Sequence, residues 1–188
     1  MTRPDRMPPI PEDKLTAAQK KAVEEIVSGP RGRVVGPFNV LLRSPDFMSR
    51  LQRTGEYLRF NSAHEPRLSE LAILITARHW SQNFEWMHHR PIAEKAGLKS
   101  AIIDAIAEGR RPDDMAKDEA VIYDLLTELN TNRTVSRATY DRALAQLGER
   151  GIVDLVGIAG YYSLLAMLMN TACTALPDGA APPLPSLP

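Results

Sequence analysis

The chain has 188 residues, 44% of them hydrophobic and 24% charged, which is ordinary for a globular protein and enough to bury one real core. Lys+Arg and Asp+Glu both number 23, so the formal net charge is zero; this argues against a large electrostatic footprint for nucleic acid and against a polybasic membrane anchor. The one cysteine, Cys173, excludes an internal disulfide and a CxxC redox pair, and the expected setting is the reducing cytoplasm.

Residues 1–13 mix prolines with charges and lack an apolar h-region, so they read as an extended surface segment and not as a secretory signal. A first helix is expected from Thr16 to about Ser28, capped by Thr16 and stopped by Gly29-Pro30. Residues 29–45 carry three glycines and three prolines and read as a shaped loop. A second helix is expected from Pro45 to Phe60, with Ser44 as its cap. Helices follow at Leu68–Trp80, Ser81–Ala96 (ending at Gly97), Ser100–Glu108, Lys117–Leu129, Ser136–Leu147 and Gly151–Thr171. The stretch Ile152–Leu176 approaches membrane-spanning length but contains Asp154 and Asn170, so a buried helix is the better reading. The proline-rich tail 177–188 is expected to be loose or draped on a neighbour. The whole chain, 1–188, is expected to be one all-α domain.

The informative stretch is residues 70–89, ELAILITARHWSQNFEWMHH. On its first helix Glu70, Ile73, Leu74 and Ala77 share a face; on its second, Glu85, His89, Ile92, Ala93 and Ala96 do so. Carboxylates and an imidazole therefore point where the apolar side chains point. A buried carboxylate must find a partner or take up a proton, and a histidine beside it can hold one near neutral pH. General acid/base catalysis needs such a pair; a structural pair closing the core is the competing reading. Pro91 is expected to kink the helix just after His89.

His79, Glu85, His88 and His89 invite a metal reading, but a carboxylate-bridged di-iron bundle needs a second E-x-x-H, and none is present, so no metal is expected. Cys173 is expected to be an inert buried thiol. Trp80 and Trp86 are candidates to wall a pocket, although tryptophans at this spacing commonly pack in cores. Tyr161 and Tyr162 lie where one of the two can face the site. Residues 29–36 lack the Gly-Lys-Ser/Thr ending of a phosphate loop.

Together, Glu70-Leu-Ala-Ile-Leu, Glu85-x-x-x-His89, Ala93, Gly97-Leu98, the helix from Lys117 and Gly160-Tyr161-Tyr162 resemble the carboxymuconolactone decarboxylase family, which also contains the alkylhydroperoxidase D-like proteins. The resemblance runs from about residue 35 to residue 176. Peroxidase-type relatives carry Cys-x-x-Cys-x-x-x-His preceded by a glutamate. Aligned on His89, the two cysteine positions fall on Gln82 and Glu85, and the glutamate falls on Glu70. With both thiols gone, thiol peroxidase chemistry has no nucleophile and no resolving partner. The pattern resembles instead the decarboxylase branch. That implies an alkylhydroperoxidase D-like helical bundle, a lyase reaction without cofactor, a role in aromatic compound catabolism, and a ring-shaped homo-oligomer, trimer or hexamer.

The leading expectation is thus a carboxy-lyase acting on a small carboxylated lactone or related carbonyl acid. His89 would be the general acid, Glu85 would orient and charge it, and Glu70 would position a water or tune the pair. Arg78, Trp80, Trp86, His88 and Tyr162 are the candidate substrate contacts. No nucleic acid or membrane partner is expected. A non-catalytic helical oligomer binding a small apolar ligand, and a lactone hydrolase or isomerase on the same scaffold, are the alternatives.

Overall fold

The computed structural model describes residues 4–185. Among these residues there are eight helices and no strand, so the fold is all-α: α1 (Ala17–Val27), α2 (Pro37–Leu41), α3 (Pro45–Phe60), α4 (Pro66–His79), α5 (Asn83–Lys95), α6 (Ser100–Ala107), α7 (Lys117–Asn132) and α8 (Arg137–Ala172).

The boundaries follow local chemistry. Thr16 and Gln19 form a reciprocal capping box at the start of α1: Thr16 Oγ1 accepts from the Gln19 amide, and Gln19 Oε1 accepts from the Thr16 amide at 3.0 Å. Pro45 opens α3 as its first residue, but Ser44 makes no side-chain cap bond. Gly97 ends α5 at φ 96, a conformation that suits glycine. The last two expected helices are merged into α8, with a break at Gly148 (φ 68, ψ 173) that separates them as the sequence does.

One element differs from expectation. The Gly/Pro loop contains the five-residue helix α2, started by Pro37 and burying Phe38, Val40 and Leu41. Just before it Gly36 has φ 53, and a Cβ there would lie 2.3 Å from the Phe84 ring. Glycine is what lets this loop close onto α5.

Helix α4 is the centre of the bundle. Every residue from Leu68 to Arg78 is buried, and the helix packs against α5, α6, α7 and α8. A helix apolar on nearly all sides is stable only when neighbours cover it all round. Its direct neighbour in sequence, α5, lies beside it after a tight turn at Ser81, which has φ 47. Pro91 sits inside α5 without breaking it, since the helix runs on to Lys95; the Met87 carbonyl is the one that loses an intrahelical donor.

Helix α8 is the one helix among the described residues long and apolar enough to cross a membrane by length and composition, yet half of its apolar window is buried. It packs on α2, α3, α4 and α7. Its uncovered side exposes Val153, Val156 and Met167. The two terminal segments close on the bundle itself. The Arg6 amide donates to the Ala172 carbonyl at 2.7 Å, and the Ala175 amide donates to Asp5. The tail is not loose as far as Pro185: Leu184 is buried, its amide donates to Asn83, and Arg78 Nη1 donates to the Pro185 carbonyl. Residues 1–3 and 186–188 of these segments lie outside the described residues.

Candidate active site

The α4–α5 turn builds the site. Gln82 caps α5, its side-chain oxygen accepting from the Phe84 amide at 2.6 Å and more weakly from that of Glu85. Its amide nitrogen donates to Asn170 of α8, which in turn donates to the Trp80 carbonyl. The turn is thereby tied to the last helix, and α5 starts at a set rotation. That rotation brings His89 against Glu70 of α4: His89 Nδ1 and Glu70 Oε2 are 2.7 Å apart, and both side chains are 5% exposed. A carboxylate only accepts, so Nδ1 carries the shared proton and Nε2 is left without a protein hydrogen bond among the described residues. The Tyr162 ring meets the imidazole edge-on at 5.1 Å.

This arrangement corrects the expected pairing. Glu85 and His89 do share a helix face, but Glu85 makes no bond to the imidazole. Both Glu85 carboxyl oxygens are buried without any hydrogen-bond partner. Glu70 is the residue that orients His89. With no compensating contact, burial alone pushes the Glu85 carboxyl well above the usual carboxylate range. Burial therefore favours its protonated, uncharged form. Leaving such a donor unpaired costs on the order of 1–3 kcal/mol, so the fold holds it at a loss.

Glu85, His88 and His89 open onto one cavity of about 260 Å³. Its apolar walls come from Val35 and Phe38 of the N-terminal half, Phe60 of α3, Phe84 and Ile92 of α5, and Tyr162 and Leu165 of α8. Three guanidinium side chains, Arg31, Arg33 and Arg59, also line it. His88 stacks on Phe84 at 6.4 Å between ring centroids. Burial first, then its neighbours His89 and Arg59, bring His88 down to about 4, so it is neutral at neutral pH. Burial also raises the Tyr162 hydroxyl.

The remaining candidates separate into two groups. His88 and Tyr162 line the cavity; Arg78, Trp80 and Trp86 do not. Trp86 is buried in the core at 1% exposure, where its size fills space between helices. Trp80 caps the end of α4 and meets His79 edge-on. Arg78 is buried and turned toward the tail, where it holds the Pro185 carbonyl. Cys173 is half-buried, not buried, and terminates α8 in a left-handed conformation, φ 53. It lines a separate surface cleft with Asp5 and Ala175. Among the described residues no three His, Cys, Asp or Glu side chains converge as a metal-holding group.

Sequence reasoning passed over Arg31, Arg33 and Arg59. Its one available signal was the pair of arginines flanking Gly32 in a glycine- and proline-rich loop, which surface loops also show.

No family model matches the chain, and no curated protein does. Its structure is similar to the crystal structure of an alkylhydroperoxidase AhpD core, an uncharacterized peroxidase-related protein from Ralstonia eutropha JMP134. The TM-score is 0.74 with 16% sequence identity, over 96% of this chain and 99% of that one. At that identity the likeness establishes architecture and leaves chemistry to the residues of the site. The chain has the all-α alkylhydroperoxidase AhpD-core fold.

Proposed function

We propose that this protein is a cofactor-independent decarboxylase-like enzyme acting on a small carboxylated lactone or related carbonyl acid. The observation that carries the reading is Glu85, a buried acid with no partner, opening onto the same cavity as the Glu70-anchored His89. A protein that only bound an apolar ligand would gain nothing from an unsatisfied carboxyl group there. A structural pair would be sealed with its polar atoms paired. Perturbed carboxyls in clefts are characteristic of acid/base sites.

In the proposed reaction the bond between the substrate's carboxylate carbon and the adjoining carbon breaks. CO2 leaves, and the electron pair stays behind as an enolate. The neutral Glu85 carboxyl gives its proton to that carbon. His89, with its Nδ1 proton held on Glu70, passes a replacement proton from solvent through Nε2. Glu85 thus takes the acid role that spacing alone gave to His89, because it is the group held protonated inside the cavity. Thiol-based peroxide turnover does not fit this site: the residues at the thiol positions are Gln82 and Glu85, and Cys173 lies in a different cleft.

The uncovered face of α8, with Val153, Val156 and Met167 exposed, supports a homo-oligomer, trimer or hexamer, with this helix at the subunit contact. Light scattering at micromolar concentration is expected to give an oligomer, and a monomer would remove that part of the proposal. The test of function is a screen of carboxylated lactones and carbonyl acids for CO2 release, with His89→Gln as control. Release by the wild type and not by the variant is expected. No release from any member of the panel would remove the decarboxylase reading.

A further inference from the structure

The charge of the cavity is not balanced by its own walls. Arg31, Arg33 and Arg59 line it, and none of the three makes an ion pair among the described residues. The carboxyl group that shares the cavity, Glu85, stands apart from them with both oxygens unbonded. Glu70 meets His89 from behind and is not part of the lining.

Arg31 is also held in place. Its guanidinium lies over the Phe38 ring, 4.8 Å from the centroid, and its Nη2 donates to the Tyr161 hydroxyl at 3.4 Å. Its Nε is buried with no acceptor. Room for this arrangement comes from Gly55 in the middle of α3. A Cβ there would lie 2.1 Å from the Tyr161 hydroxyl and 2.7 Å from Arg31 Nη2. Glycine in a helix interior costs roughly 0.5–1 kcal/mol against alanine. Here it admits a tyrosine that braces an arginine. A surface arginine kept for solubility needs neither the brace nor the buried, unpaired N–H.

We propose that Arg31 is the anion-binding residue of the cavity, assisted by Arg59, and that the ligand is a flat, ring-sized carboxylate whose body lies among Phe38, Phe84 and Tyr162. The proposal rests on the reading of this cavity as the substrate site, and it adds which residue selects the substrate and by what charge. The guanidinium fork suits a carboxylate, and a planar cation already stacked on an aromatic ring loses little freedom on binding. Arg59, which lies over the Phe60 ring at 5.3 Å, supplies the second cation at the mouth.

The test uses a matched pair of probes, benzoate and its neutral isostere benzamide, titrated calorimetrically into the full chain. Benzoate is expected to bind saturably and benzamide at least about ten-fold more weakly. Arg31→Gln is expected to lower benzoate affinity about ten-fold or more and to leave benzamide affinity unchanged. Arg137→Gln, on the exposed start of α8, should change neither. Arg31→Lys keeps the charge but not the fork and should recover part of the benzoate affinity. Equal affinity for the two probes, unchanged benzoate binding in Arg31→Gln, or no benzoate binding in the wild type would each overturn the proposal. So would early melting of both Arg31 variants with no recovery in the lysine form, because the residue would then be structural. Neither probe needs to react. Charge selection without a CO2-releasing substrate would leave the anion site standing and remove the decarboxylase reading; CO2 release with no preference for charge would do the reverse.

Discussion

The first two turns of helix α4 carry two sets of charged side chains, and they are treated in opposite ways. At its start Arg67 bonds Glu65 at 2.8 Å, Asp118 at 2.6 Å and also Glu119. Glu119 accepts as well from the Ala116 amide that opens α7. The cluster is closed: burial opposes the charge on both Arg67 and Asp118, yet the three acidic partners raise Arg67 and the guanidinium lowers Asp118. One turn further along, Glu70 anchors His89 with a single bond, and next to that pair Glu85 has no bond at all. The first set joins α4 to α7 and exposes little chemistry. The second leaves both Glu85 oxygens, and the other imidazole nitrogen of His89, without a protein hydrogen bond among the described residues, beside the cavity. Both sets are charge clusters in the sequence, and what distinguishes them is satisfaction, which only the packed structure displays.

The largest expected effect breaks the open set. His89→Gln retains a polar side chain of similar reach but cannot cycle a proton. Turnover should fall by roughly two to four orders of magnitude, with circular dichroism and melting temperature close to wild type. Normal turnover in a folded variant would take the chemistry away from this pair.

Glu85→Gln should reduce turnover by about two orders of magnitude, and it also has a signature in stability. In the wild type the native state holds the Glu85 proton at pH values where the unfolded chain has released it. The native state then binds more protons, so this group's contribution to stability is complete below the ordinary carboxyl range and is lost as pH rises toward the folded-state value. The glutamine variant lacks that slope. Its melting temperature relative to wild type should climb as pH increases from the acid range to neutrality. A difference that stays flat with pH would mean that Glu85 ionises normally.

Arg67→Ala sharpens the contrast from the closed side. It leaves Glu119, whose side chain is 5% exposed, without its partner. The cost should be about 3 kcal/mol, the low end for breaking a buried pair because Arg67 itself is one-fifth exposed. Denaturant titration reads the loss, while turnover per folded molecule should not change. The smallest effect is expected for Cys173→Ser: neither melting temperature nor activity should move, because the half-buried thiol makes one weak hydrogen bond among the described residues, to the Asn170 carbonyl at 3.8 Å, which a serine hydroxyl can also make.

The helical plan was legible in the sequence because caps and stops are local. Pro45, the Thr16–Gln19 box, Gly97 and the break near Gly148 each act within a few residues. Helix α2 was hidden because its five residues are stabilised by Phe38, Val40 and Leu41 packing into the bundle, not by their own propensity. At the site, periodicity located the faces carrying Glu70, Glu85 and His89 but could not say how far α5 is rotated against α4. That rotation, set by Ser81 and the Gln82 cap, decides that Glu70 and not Glu85 meets the imidazole. Arg78 and the tryptophans are near the motif in sequence and away from the cavity in space, whereas Arg31 is 58 residues before His89 and lines the same cavity. Long-range placement of that kind leaves no local trace.

The central claim is that Glu85 is a carboxylic acid held protonated beside a Glu70-anchored histidine. The direct measurement is a pH titration of the side-chain carboxyl carbons in protein labelled with carbon-13 at glutamate, with the Glu85 signal assigned by its absence in Glu85→Gln. The account predicts one glutamate whose chemical shift is still that of the protonated acid at neutral pH, and that this signal is the one missing from the variant. A Glu85 signal that ionises in the acid range together with the exposed glutamates would contradict it.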